Sequence, residues 1–200
     1  MSSSEHRATH RAHHRATTDD DAAGLLSLLR AVPDHPAPGI TFWDITPLLG
    51  DAGALARATE ALAVAAQALP GGRVDLVAGV EARGFVLGAP LALALGAGFV
   101  PLRKAGKLPW RTVRQDYSLE YGKASIEAHE DAVPAGARVL VIDDVLATGG
   151  TAAAACALVN RLGGELAGVV FLLELLSLQG RAALAPALAG APVTSVLQTP

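Results

Sequence analysis

Four apolar residues run without interruption into two adjacent carboxylates and then into a short stretch of small residues: Val139-Leu140-Val141-Ile142-Asp143-Asp144-Val145-Leu146-Ala147-Thr148-Gly149-Gly150-Thr151. An apolar run with no polar alternation describes a strand covered on both faces, which belongs in a parallel sheet. From Thr151 to Leu162 the pattern is alanine-rich and helical, and Gly163-Gly164 closes it. A strand that turns through glycine into a helix is part of a βαβ unit, and few architectures accommodate it.

The rest of the chain repeats that alternation. Val74 to Val80, Gly98 to Leu102, Ala167 to Leu173 and Val193 to Leu197 read as strands, and Ser118 to Ala128 alternates as one more. Helices are expected over Ala22 to Ala31, from an N-cap at Asp51 to about Leu69, and from Gly84 to about Leu95. Pro33 to Pro38 breaks the first of these, and Ile40 to Leu49 reads as a compact apolar loop. The expected fold is α/β, a doubly wound, mostly parallel sheet with a small hood element and a mobile lid. Ligands of such sheets bind beyond the carboxyl ends of the strands, where Arg83, Arg103 and Asp143-Asp144 fall.

Residues 1–21 are polar, with Ser, Arg, His and a run of three aspartates, and are expected to be a disordered tail ahead of one domain over residues 22–200. The tail lacks the apolar core of a secretory signal. Its His6, His10, His13 and His14 could hold a metal only loosely. Gly84 to Leu102 is uncharged, but its glycines and prolines argue for a buried helix and strand rather than a membrane span. A net charge of −3 gives no reason to expect nucleic-acid binding. The single cysteine, Cys156, excludes an internal disulfide and suits a reducing compartment, so a cytoplasmic location is expected.

Ala147 to Thr151 offers consecutive backbone N–H groups at a helix start, with hydroxyls from Thr148 and Thr151, which suits an anion. The lysine of a Walker A loop is absent, so the cradle fits a terminal monophosphate. An ordinary strand-to-helix turn is the plainer alternative. Two adjacent acids at the end of an apolar strand repel each other and lose solvation. Capping explains one of them; a ligand with vicinal hydroxyls, or a cation, explains both. A ribose 5-phosphate satisfies acids and loop together.

Val139 to Thr151 resembles the phosphoribosyl-diphosphate signature of the type I phosphoribosyltransferases. Further segments resemble the adenine phosphoribosyltransferases within that family, in the family's order. They are Pro38 to Leu49, Glu81-Ala82-Arg83-Gly84-Phe85, Arg103 to Pro109, Tyr117 to Lys123 and Glu174 to Leu178. The resemblance implies transfer of a phosphoribosyl group from 5-phosphoribosyl 1-diphosphate (PRPP) to adenine, giving AMP and diphosphate. It also implies Mg²⁺ held mainly by PRPP rather than by protein ligands, and a homodimer. By the same resemblance, PRPP would be bound by Asp143, Asp144, Ala147, Thr148, Gly149, Gly150 and Thr151, with Arg83, Arg103, Lys104 and Lys107 neutralising the diphosphate. Phe42 would stack on adenine opposite Leu175, and main-chain groups of Thr41 and Trp43 would read its edge. Trp43 stands where the family usually has a basic residue. Glu120 and Arg83 would be the catalytic pair, Glu120 taking the proton that adenine loses.

Each assignment has a plainer counterpart: Phe42 as a core residue, the basic run as a solvated loop, Glu120 as a surface residue, Tyr117 and Tyr121 as packing. The Lys104 to Asp116 segment, hinged at Gly106, is the candidate lid. Two rival readings are transfer to hypoxanthine, guanine, xanthine or orotate, and a regulator that binds PRPP without turnover. The second would call for a DNA-binding element that this sequence does not display.

Overall fold

The structure, a computed structural model, describes residues 19–35, 37–119 and 122–200. The histidine-rich stretch and Glu120 lie outside the described residues. From the amino end, α1 (Asp19–Leu26) leads to an antiparallel pair, β1 (Arg30–Val32) and β2 (Phe42–Asp44), then to α2 (Thr46–Gly50) and α3 (Ala52–Gln67). The first helix is thus shorter than expected: Ala31 pairs with Trp43 in the small sheet instead of continuing the helix. Pro33 is the local reason, since the residue before proline is driven toward extended conformations. The expected loop over residues 40–49 is a strand followed by a helical turn. Asp51 caps α3 as expected, its side chain accepting the Ala54 N–H at 2.6 Å, a contact worth about 1 kcal/mol.

The main sheet is built by β3 (Leu76–Val80), β4 (Gly98–Lys104), β5 (Thr112–Leu119), β6 (Gly122–His129), β7 (Arg138–Leu146), β8 (Glu165–Leu175) and β9 (Val193–Thr199), in the order β5-β6-β4-β3-β7-β8-β9. The run β4-β3-β7-β8-β9 is parallel, and β5 and β6 form an antiparallel hairpin added at the β4 edge. That hairpin corrects two expectations. Ser118 to Ala128 is not one strand, and the proposed lid is not one loop: Lys104 ends β4, and Thr112 to Asp116 lie in β5. Alternation has the same period on both arms of a hairpin, so it does not report where the chain reverses.

Side chains leave β7 alternately to the two faces. Leu140 and Ile142 join the cluster under α3 and α4 (Arg83–Leu95), while Val139 and Val141 join the cluster under α5 (Gly150–Arg161). All four are fully buried, at roughly 1.5–3 kcal/mol each. Val170 and Leu172 of β8 face the first cluster, and Val169 and Phe171 the second. Cys156 lies inside α5, and burial pushes its thiol up to about 12, so it stays protonated and inert. No helix among the described residues is long and apolar enough to cross a membrane.

Candidate active site

The acid pair sits inside β7 rather than past its end. Pairing with β3 stops at Ile142, opposite Gly79, whereas β8 continues to pair through Leu146. Asp143 and Asp144 therefore keep strand geometry while one flank opens into a pocket of about 610 Å³. Glu81, Arg83, Lys104, Tyr117 and Thr151 line the same pocket with them. Asp144 is buried, and its carboxylate accepts from the Arg83 guanidinium at the first residue of α4. Gly84 permits this approach, because a Cβ there would stand 3.0 Å from the Ile142 carbonyl and 3.1 Å from Asp143 Oδ1.

Burial works against the Arg83 charge, but the hydrogen bond and charge of Asp144, with help from Asp143 and Asp44, outweigh it and raise its pKa. Asp143 accepts the Asp144 N–H at 2.9 Å. Desolvation, and then the neighbouring Asp144 charge, push the Asp143 carboxyl well above the usual carboxylate range. A raised folded-state pKa means that the native state holds a proton the unfolded chain releases. Stability is therefore lost as pH climbs from the unfolded value through the folded one. Asp143→Asn should then raise Tm by about 2–4 °C at about pH 7.5 and by much less near pH 4. Scanning calorimetry at both pH values checks this, and a difference independent of pH would refute it.

Below the acids, Ala147 to Thr151 lines a smaller cavity of about 80 Å³ that shares Asp143 and Thr151 with the larger one. Gly149 is the N-cap of α5 with φ +83°, and its carbonyl accepts the Ala153 N–H at 2.9 Å. The N–H groups of the first helical turn have no partner within the helix and remain available to an anion. The loop is wedged from behind: a Cβ on Gly149 would sit 2.3 Å from the carbonyl oxygen of Gly180, the first residue of α6 (Gly180–Leu184). In return, a Cβ on Gly180 would sit 2.2 Å from the Ala147 carbonyl oxygen. The next residue, Arg181, donates to both oxygens of the buried Glu174, at 2.6 and 2.7 Å. Arg181, against the cost of burial and with Ser195 and Gln198 assisting, holds the Glu174 carboxyl below its usual range. This anchor, invisible in the sequence, ties α6 to the end of β8.

The basic cluster is organised by two acids. Glu81 accepts the Lys104 N–H at 2.9 Å, pairs with the Lys107 ammonium, and lies 3.5 Å from Arg103 Nε. Burial opposes its charge, but Lys107, the Lys104 N–H and Arg103 outweigh that and lower its pKa. Glu127, on β6 and 6% exposed, accepts the N–H groups of Gly106, Lys107 and Leu108 at 2.9, 3.2 and 3.3 Å. In the sequence Glu127 stands between the apolar Ile126 and Ala128 and reads as a solvent-facing strand residue. The turn that covers it supplies the partners.

On β2, Phe42 lies 5.4 Å from the Arg83 guanidinium and meets His35 edge-on at 5.3 Å. Trp43 points the opposite way along β2 and packs against the core beneath α3. Thr41 is exposed just before β2, and Leu175 ends β8, half-buried against the same core. The fold thus brings Phe42, Arg83 and the acid pair together, with the loop directly following the strand that carries the acids.

The arrangement offers acceptors for a diol, backbone N–H groups for a phosphate and cations for a second anion. Residues 49–183 match the phosphoribosyl transferase domain family. An adenine phosphoribosyltransferase of Streptomyces coelicolor is 58% identical over 175 residues, covering 86% of this chain and 93% of that one. The crystal structure of the adenine phosphoribosyltransferase from Rhodothermus marinus is 50% identical with a TM-score of 0.83, covering 91% of this chain and 100% of that one. The Saccharomyces cerevisiae adenine phosphoribosyltransferase, complexed with an imino-altritol bisphosphate and adenine, is 40% identical with a TM-score of 0.83, covering 89% of this chain and 99% of that one.

Proposed function

The chain belongs to the phosphoribosyltransferase family, and we propose that it salvages purine by converting adenine and PRPP to AMP and diphosphate. One observation carries the reading: Arg83, Lys104, the acid pair and Thr151, the last residue of the loop, line a single pocket, in a chain 58% identical to an adenine phosphoribosyltransferase. Residues 22–200 act as the one catalytic domain. The 5-phosphate takes the N–H groups and hydroxyls of Ala147, Thr148, Gly149, Gly150 and Thr151. The ribose diol donates to Asp143 and Asp144, and Arg83, Arg103, Lys104 and Lys107 receive the diphosphate.

Departure of diphosphate leaves positive charge on the sugar, as in glycoside cleavage. The Asp144 carboxylate favours that charge while Asp143 orients the diol, and the Arg and Lys groups neutralise the leaving polyanion. The residues fit Mg²⁺, which prefers one or two carboxylates plus substrate oxygens: Asp143 and Asp144 at the pocket would assist an ion held mainly by PRPP. When bound, it supplies further neutralisation of the diphosphate. Phe42 and Leu175 sandwich the base, and main-chain groups of Thr41 and Trp43 read its edge. With the Trp43 side chain committed to the core, the missing basic residue at that position costs no contact made through the main chain. Glu120 takes the proton released from adenine.

The test is AMP formation from PRPP across a panel of adenine, hypoxanthine, guanine, xanthine and orotate, with and without Mg²⁺. Product from adenine alone is expected, and turnover of another base at equal efficiency would redirect the assignment. Phe42→Ala should raise the KM for adenine about tenfold, the loss of one stacking contact of 1–3 kcal/mol, while changing the KM for PRPP far less. Equal changes in both constants would remove Phe42 from the base site. The reading extends to a cytoplasmic homodimer, and sedimentation of a single-chain mass at micromolar concentration would remove the dimer.

A further inference from the structure

We propose that Glu81 is a resident competitor for Lys107: it holds the ammonium group in the free protein, and diphosphate binds by displacing it. The inference rests on the reading of Lys107 as a diphosphate ligand. The Glu81 side chain is 10% exposed and the Lys107 side chain 47%, so the acid is fixed and the base can move. Glu81 and Lys104 line the large pocket, while Lys107 is turned onto Glu81 at its edge.

The turn that carries Lys107 does not depend on this ion pair. Glu127 pins its backbone through three N–H groups, and Arg103 Nη1 donates to the Lys107 carbonyl at 3.0 Å. The Lys107 side chain can therefore exchange partners without moving the turn. After it leaves, Glu81 Oε2 keeps the Lys104 N–H, so the largely covered carboxylate is not left without compensation. A polyanion entering beside Glu81 therefore meets a site whose mobile cation must first be won from a neighbouring acid. The same competition weakens the hold on diphosphate once it becomes the leaving product.

The experiment measures calorimetric Kd values for inorganic diphosphate with the full chain. Glu81→Gln keeps an acceptor for the Lys104 N–H and removes the competing charge. It should tighten diphosphate about fivefold, the size of one half-exposed ion pair. In a Lys107→Met background, the same Glu81→Gln change should alter Kd by less than about twofold, because no ammonium group remains to release. Unchanged or weaker binding by Glu81→Gln overturns the proposal. So does a gain that persists without Lys107, which would mean simple repulsion by the Glu81 charge. If Glu81→Gln does not fold, Glu81→Asp, whose carboxylate is withdrawn from Lys107, should give tighter binding. Failure of the wild-type chain to bind diphosphate at all would instead sink the parent reading.

Discussion

Asp144→Asn should lower kcat/KM by about 10²–10³-fold, the range found when one group aimed at transition-state charge is removed. Asparagine has the same shape but no charge. It can still accept from Arg83 through its amide oxygen, so the fold around β7 should survive. The guanidinium of Arg83 loses its closest counter-charge, however, and in the proposed reading the sugar loses the carboxylate that favours its positive charge. Because the effect falls on charge developed during diphosphate departure, kcat should drop more than the KM for either substrate rises. Steady-state kinetics beside a thermal melt would check this. A folded variant turning over at the wild-type rate would disconnect the acid pair from the chemistry.

Gly149→Ala should be the second severe change. Alanine at φ +83° carries a left-handed strain of about 1–2 kcal/mol. Its Cβ would also stand 2.3 Å from the Gly180 carbonyl oxygen, in backbone held by the Arg181–Glu174 pair. The loop has to move, and it is the loop proposed to hold the 5-phosphate. The KM for PRPP should rise about 100-fold or more, a 1 Å misplacement being enough for such a loss. Gly136→Ala is the control: its φ is +74°, but nothing lies within 4 Å of the added Cβ. It should cost about 1 kcal/mol of stability and leave the KM for PRPP unchanged. If the two alanines behave alike, the close packing of Gly149 on Gly180 has no functional weight.

The parts of the site that were legible are those written in consecutive residues. Four apolar positions before two acids and a glycine-bearing turn fix a doubly buried strand, a pair of anions and a helix start in one local segment, and β7 and α5 follow that order. Arg83, at the exit of β3, was readable for the same reason. The supporting shell was not. Glu127 owes its role to a turn about twenty residues earlier, and Glu174 to an arginine on the following helix and a serine and glutamine on the next strand. Glu81 was visible inside a motif, yet its partners come from the next strand and the turn beyond it. The basic run read as one loop because its charges obscured the strand pattern of β5, whose pairing with β6 decides its conformation.

By itself the sequence determined the alternation of strands and helices, the position of the acid pair, and the glycine-bearing loop that opens a helix, because these depend on local periodicity and backbone preference. Tertiary structure alone decided which strands are neighbours, and with that the meeting of Phe42, Arg83 and Asp144, the exposure of Asp143 along the flank where β3 ends, and the carboxylates that hold the basic turn. The physical reason is that burial, charge pairing and shifted pKa values are properties of groups brought close in space, and sequence separation does not report that closeness.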